Sequence, residues 1–400
     1  MLAMVACIGA CTPPDPAAEV TRRDSAGIEI VTVPAAAFAA LPAWTIDTGT
    51  RLMTIGGEDP DQDVDRIAWA VKLDDENILI GKTSPMEIRL HGADGGFIRH
   101  IGRRGDGPGE FRYALPYQVR SDTVLFWDGN QQRLTWMRTD GTVVRTSDFK
   151  SIPRTLFLGV GGGLADGKLV TMPMGWYQDT NVSRLDGGRL MMPIYLIDIE
   201  RMTVDTQPGY PGVQVYQGEA VEAGRTFPTP REYELDGSTV ILTTDSGMTV
   251  AFPMNASVLL RRSDGTIRRQ TLLPLEGRPV TPELRERYIA GESTYVAGRP
   301  YGADYLTTLR KARFSERMPV FTKIQPGPAG EVWLALSTIS SDTTREFVVL
   351  DASGAPAATA GLPAGWNLLW IGKDHVLATW RDEDDVTYLS AYPLHRVTSR

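Results

Sequence analysis

The chain has 400 residues, 42% hydrophobic and 22% charged, enough apolar material for one large repetitive domain or two to three average ones. Its 41 basic and 49 acidic residues leave a formal charge of −8, which disfavours a broad nucleic-acid-binding surface. Forty glycines and 27 prolines exceed the roughly 7% and 5% of ordinary chains, an excess too small for collagen or a disordered tract but suited to many tight turns.

Cysteine occurs at Cys7 and Cys11 and nowhere after, so a disulfide framework, Cys-based metal sites and a Cys nucleophile are excluded. Residues 1–11 are apolar and small, and the polar run Thr12-Pro13-Pro14-Asp15-Pro16 follows. Such a stretch reads as a removable signal segment and not as structure. Its end, Ile8-Gly9-Ala10-Cys11, resembles the bacterial lipobox, in which the cysteine becomes the lipidated first residue. That resemblance implies a signal segment at 1–11, lipidation of Cys11, a flexible tether at 12–23 and an exported lipoprotein on the periplasmic or cell-surface face of a bacterial envelope. Two or three acyl chains would anchor it, since one gives only marginal membrane binding. No later apolar run approaches the ~20 residues that span a bilayer.

Ile28–Val33 alternates like a strand after the turn-like Asp24-Ser25-Ala26-Gly27. It is expected to pair into the last repeat, near 386–398, as a strap joining the two ends.

One pattern then recurs: a Gly- or Asp-led turn, a β-rich run, a short polar gap, a second β run, and Asp-Gly or Ser-Gly. The clearest copies are 76–81 with 86–90 and Asp94-Gly95, and 123–128 with 133–137 and Asp140-Gly141. Looser copies pair 167–172 with 192–197, 240–243 with 257–261, 331–336 with 347–350, and 375–380 with 387–392. Asp-Gly supplies the positive φ that a tight hairpin needs. A lone meander of ~40–45 residues cannot bury both of its faces. Radial packing of six buries them and leaves only short, protected edges. The expected fold is therefore all-β: a six-bladed β-propeller of four-stranded antiparallel blades over residues 24–400.

One segment breaks the β pattern. Thr281-Pro282-Glu283 supplies an N-cap, a proline at the first helical position and an acid in the first turn. Residues 279–318 thus read as a helical insertion between blades four and five, with a second helix near 303–312. It would cap one mouth of the ring or pack on its side.

The richest local match is Ile101-Gly102-Arg103-Arg104-Gly105-Asp106-Gly107-Pro108-Gly109-Glu110-Phe111, followed by Pro116, Trp127-Asp128 and Arg133. It resembles the NHL-repeat blade linker, in which a Gly-x-x-Gly-x-Gly-Pro-Gly-x-Phe run joins one blade to the next. The chain is also similar to the six-bladed propeller lipoproteins of bacteria, whose mature chains often open with Asp-Ser-Ala-Gly, as at 24–27. Gly102, Gly105, Gly107 and Gly109 let the backbone turn sharply, and Pro108 stiffens one corner. Phe111 would wedge between neighbouring sheets. Asp128 and Arg133 would form an ion pair across their hairpin, where NHL blades keep Asp and Arg. The other copies lack both features.

Catalytic signals are sparse. His91, His100, His375 and His395 lack metal-ligand spacing, and no Gly-x-Ser-x-Gly elbow occurs. A calcium-dependent lactonase-like hydrolase would need Glu, Asn and Asp oxygens at the central channel. Asn77, Asn130, Asn181, Asn255 and Asn367 do not mark inner-strand starts, and the acidic runs 74–76 and 382–385 read as solvated turns. Loop aromatics Trp176-Tyr177, Tyr210, Tyr216, Tyr288, Tyr295, Tyr301 and Tyr305 suit recognition of a protein or sugar. The reading is a monomeric, envelope-anchored binding or scaffold module for a protein or glycan partner, without catalysis or cofactor. The alternative is the calcium-dependent hydrolase.

Overall fold

Runs of β-branched and aromatic residues bounded by Gly, Asp and Asn become strands throughout the computed structural model, which describes residues 19–57, 59–149, 162–173, 183–184, 188–244 and 247–397. Cys11, the rest of the expected signal segment 1–11, most of the expected tether 12–23, Trp176-Tyr177 and Asn181 lie outside the described residues. The molecule is all-β and propeller-like. Its described strands form six sheets in chain order.

The first sheet holds Ile67–Lys72, Ile78–Thr83, Met86–His91 and Phe97–Arg104, with Glu110–Phe111 added in parallel. The second holds Ala114–Arg120, Thr123–Asp128, Arg133–Arg138 and Val143–Asp148. In the third, Gly162–Gly163, Lys168–Thr171 and Arg189–Asp198 precede a long hairpin, Thr203–Glu222 and Arg225–Glu232. The fourth runs Val240–Thr244, Gly247–Phe252, Ser257–Arg261 and Ile267–Leu272. Phe321–Pro326, Val332–Leu336, Thr344–Leu350 and Pro356–Pro363 make the fifth. Asn367–Ile371, His375–Arg381 and Thr387–His395 begin the sixth.

Burial explains why the sheets associate. Each of the six large apolar clusters is shared by two neighbouring sheets. Phe111 and Trp69 of the first meet Val124 and Phe126 of the second. Trp127 and Phe149 meet Tyr195, and Val170 and Ile194 meet Val250. Ala251 and Val258 meet Phe321 and Leu334, and Trp333 and Phe347 meet Tyr392 and Leu368. The circuit returns to its start where Leu377 and Leu389 of the sixth sheet meet Ile78 and Ile80 of the first. Each such side chain contributes about 1.5–3 kcal/mol when fully buried, and no sheet could gain this from both faces alone.

Two irregularities repeat. Between third and fourth strands, a register shift follows the turn at Leu90/His91, Trp136/Met137, Leu260/Arg261 and Val349/Leu350. Gly95, Gly141, Gly265 and Gly354 there have φ of 75–93°, whereas the preceding Asp or Ser does not have positive φ. These are therefore turns closed by a glycine bulge, in place of the expected two-residue hairpins. First strands also bulge, at Ile67/Trp69, Pro116/Gln118, Phe321/Lys323 and Leu368/Trp370.

Two expected pairings are corrected. Ile28–Thr32 does not join the last sheet; it pairs in parallel with Ile267–Leu272 of the fourth, and Thr21–Ser25 pairs outside it. Charge selects that edge: the Glu29 carboxylate accepts from Arg269 Nε at 2.7 Å and from Arg22 at 2.6 Å. The sixth sheet is instead completed by Met53–Gly56, in register Thr54↔Ser390, and by Thr45–Ile46. Likewise Val240–Thr244 does not touch the 257–261 strand, because Gly247–Phe252 lies between them.

The two ends of the sheets differ. At one end the turns between first and second and between third and fourth strands have five residues or fewer. The loops joining sheets, the tip of the long hairpin and the helices α2 (Pro282–Tyr295) and α3 (Gly302–Arg310) all leave from the opposite, elaborated end; α1 (Ala35–Ala39) is a single turn near the N-terminal strands. Thr281 Oγ1 caps α2 by accepting from the Leu284 amide at 3.2 Å.

Candidate functional site

The glycine-rich junction is densely hydrogen-bonded. Pro108-Gly109 makes its turn, and the strand Phe97–Arg104 realigns in parallel with Glu110–Phe111. A Cβ on Gly105 would collide with the Glu110 carboxylate. That carboxylate accepts from Gly107 N at 2.9 Å and Arg103 Nε at 3.0 Å, which hold it below the usual Glu range. Asp106 takes a bidentate Arg112 at 2.7 and 2.8 Å, so the Arg-Gly-Asp tripeptide presents a carboxylate already paired. Phe111 is fully buried beside Gly102 and meets Phe126 edge-on at 5.5 Å.

Asp128 and Arg133 stand opposite each other in register, but they do not form the expected ion pair. Each clamps backbone instead. Asp128 accepts from the amides of Arg112, Tyr113, Asn130 and Gln131 at 2.6–3.3 Å. Arg133 donates to the carbonyls of Asp106 (2.9 Å), Gly107 (3.0 Å) and Glu110. Loop groups left without ladder partners outcompete the pair, since buried amides and carbonyls must be satisfied.

The other candidates disperse. His91 is buried, bonded through Nδ1 to the Gly95 carbonyl (3.1 Å) and separated from exposed His100 by the Phe97 ring. Both acidic runs form turns, and Asn77, Asn130 and Asn255 lie in or beside turns. Asn367 does start an inner strand, contrary to expectation, yet its Oδ1 accepts from Arg345 at 2.9 Å. Among the described residues no three His, Cys, Asp or Glu side chains gather as a metal-ligand set.

The tyrosines expected on loops or the insertion mostly sit on regular elements, Tyr210 and Tyr216 on the strand Thr203–Glu222, Tyr288 on α2 and Tyr305 on α3, and several fasten the insertion down. Tyr288 donates to Glu234 (3.3 Å), whose carboxyl burial pushes up, and Tyr305 donates to Glu292 (2.8 Å). On the far side, Thr308 Oγ1 accepts from the Val221 amide of the long hairpin at 2.9 Å. Tyr216 stacks edge-on with Tyr233, and Tyr210 accepts from Arg261. Tyr295 and Tyr301 stay 63% and 51% exposed.

From the long hairpin the insertion reaches across the elaborated end to the first and sixth sheets. There Thr294, Tyr295 and Arg299 face Asp65, Arg66, Arg381 and Asp385 over a cavity of ≈740 Å³. A smaller recess of ≈110 Å³ continues from Arg66 and Arg381 to Asn367 and Trp380. Arg381 pairs with Asp385 at 2.7 Å and Arg66 loosely with Asp65 at 3.8 Å. Arg299 lies 4.1 Å from the Tyr295 ring centroid and donates to Tyr301 Oη at 2.9 Å, with no carboxylate in ion-pair range among the described residues. In a chain of net charge −8, three arginines against two carboxylates form a locally cationic mouth. Guanidinium and tyrosine together suit bidentate binding of carboxylate, sulfate or phosphate and stacking on a flat sugar or ring. No local spacing announced these arginines; the tyrosines were visible as loop aromatics.

No family model matches the chain, and no curated protein matches it. The NHL-like character of residues 101–133 stands on those residues alone. Similar solved structures include a Bacteroides fragilis protein named as exported, at 12% identity and TM-score 0.49 over 90% of this chain and 99% of that one. Virginiamycin B lyase from Staphylococcus aureus matches at 11% identity and TM-score 0.41 over 86% and 99%. A gluconolactonase from Xanthomonas campestris matches at 10% and 0.38 over 82% and 88%. These likenesses are too distant to carry an argument about this chain. No helix among the described residues is long and apolar enough to cross a membrane.

Proposed function

We propose that the six sheets are the blades of a six-bladed β-propeller, tethered to a bacterial envelope through Cys11, that works as a monomeric, non-catalytic binding module. Its partner is a protein or glycan bearing acidic groups, received at the elaborated end. The observation that carries this reading is the cavity between α2 and the first and sixth sheets, walled by Arg66, Arg299, Arg381 and exposed Tyr295. Loops held over a rigid scaffold are where recognition is usually placed. The cation at Arg299 without a carboxylate partner supplies the preference for anions.

The test is an array of acidic and neutral glycans and peptides, probed with wild type and with Arg66→Ala, Arg299→Ala and Arg381→Ala. Wild type should retain uronic-acid, sulfated or acidic-peptide ligands, and Arg299→Ala should weaken them at least tenfold. Equal retention of neutral ligands, or insensitivity to all three substitutions, would overturn the proposal.

A further inference from the structure

Two further cations lie between the fifth and sixth sheets. Lys323 is on the first strand of the fifth sheet, directly after the bulge at Phe321/Lys323. Its Nζ donates to the Leu368 carbonyl at 3.2 Å, which also accepts from Gln325 Nε2 at 2.9 Å. Leu368 precedes the matching bulge of the sixth sheet, which accounts for a carbonyl turned toward the neighbouring blade. Arg345, on the third strand of the fifth sheet, donates Nη1 to Asn367 Oδ1 at 2.9 Å.

Neither cation has a carboxylate within 4.0 Å among the described residues, unlike Arg89, Arg189, Arg269, Arg278 and Arg396, each of which is paired. One of three ammonium donors and one of five guanidinium donors are in use. Lys323 is exposed and Arg345 half-buried. Desolvation first, then the charge of Arg345, lowers the pKa of Lys323 below the ordinary lysine value, and desolvation lowers that of Arg345. Two like charges anchored to the adjacent residues Leu368 and Asn367 and lacking a counter-ion repel each other, unless an anion supplies what the chain does not.

We infer that Lys323, Arg345 and Asn367 form an oxyanion-binding site where the fifth and sixth sheets meet, one that takes a single carboxylate, sulfate or phosphate group. Lys323 supplies a point charge, Arg345 a planar fork, and the Asn367 amide, its oxygen already engaged, a neutral donor. Asn367 also lines the small recess beside the Arg299 cavity, but Lys323 and Arg345 line neither, so substitutions at Lys323 and at Arg299 separate the two sites.

The experiment is calorimetry and thermal melting of the full chain with sodium phosphate, sulfate or acetate at constant ionic strength, with chloride as reference. A saturable rise in Tm at millimolar phosphate, sulfate or acetate is expected, and the tighter binder separates a tetrahedral oxyanion from a carboxylate as the natural group. Lys323→Met and Arg345→Gln should each weaken that anion at least tenfold, and Arg299→Ala should not. Without anion, Lys323→Met should melt no lower than wild type, because it removes an uncompensated charge from an intact fold. A wild-type response equal to chloride, or an unchanged affinity in both variants, would overturn the inference.

Discussion

Asp128→Ala tests how the junction is held. The side chain is fully buried, and its two oxygens accept from four backbone amides, Oδ2 from Arg112 and Tyr113 and Oδ1 from Asn130 and Gln131. Arg112 and Asn130 are exposed, so water can replace the carboxylate there. The amides of Tyr113 and Gln131 are less accessible, and each charged hydrogen bond lost at such a site costs about 1.5–2 kcal/mol. The expected destabilisation is about 3–4 kcal/mol. With an m-value of about 3 kcal/mol/M, the urea midpoint falls by about 1 M. Asp128→Asn should cost at least half as much, because the amide keeps one acceptor and turns donors toward the second pair of N–H groups. Hydrogen exchange should show the loosening at residues 105–113. A midpoint within 0.2 M of wild type for Asp128→Ala, or rescue of Asp128→Asn by Arg133→Met, would refute the backbone-clamp account and restore a direct Asp–Arg pair (resolution of about 0.2 M assumed).

Other outcomes follow from burial and charge. Phe111→Ala removes a fully buried ring shared by the first and second sheets and should cost about 3–5 kcal/mol by urea denaturation. Glu29 is held below its ordinary pKa by Arg269 and then Arg22. Its contribution is complete above the ordinary carboxylate range and is lost as pH falls through the lowered folded-state value. Protection from hydrogen exchange at 21–32, relative to the intrinsic rate at each pH, should therefore fall in acid, and Glu29→Gln should show that loss already at neutral pH. Burial lowers the pKa of His91, so the unfolded chain takes up a proton near pH 6.5 while the folded one stays neutral. Stability should fall as pH drops below about 6.5, and His91→Leu should flatten that slope in urea midpoints compared between pH 7 and 5.

The hairpins at 78–91, 123–138, 332–350 and 375–395 were legible because each puts two densely apolar strands around a polar turn, and the pattern survives without knowledge of partners. Ile28–Thr32 was legible as a strand but not as to its edge, because the choice rests on Glu29 meeting Arg269, 240 positions away. Met53–Gly56 is only four residues long, too short for alternation to show, and Gly247–Phe252 follows so closely on Val240–Thr244 that two strands read as one. At the candidate site, Tyr295 and Tyr301 could be seen as loop aromatics. Arg66, Arg299 and Arg381 could not be grouped, because the helical insertion and two sheets far apart in sequence bring them together.

Closure of the ring can be measured by one cross-link. Thr54 and Ser390 face each other in register with hydroxyl oxygens 2.9 Å apart, close enough for a disulfide once both are cysteine. In a variant with Cys7 and Cys11 replaced by serine, Thr54→Cys with Ser390→Cys should oxidise quantitatively and raise stability by about 3–5 kcal/mol, since the bond closes most of the chain. A pair that stays reduced under oxidant, while Ile30→Cys links to the 387–395 strand instead, would contradict closure by Met53–Gly56.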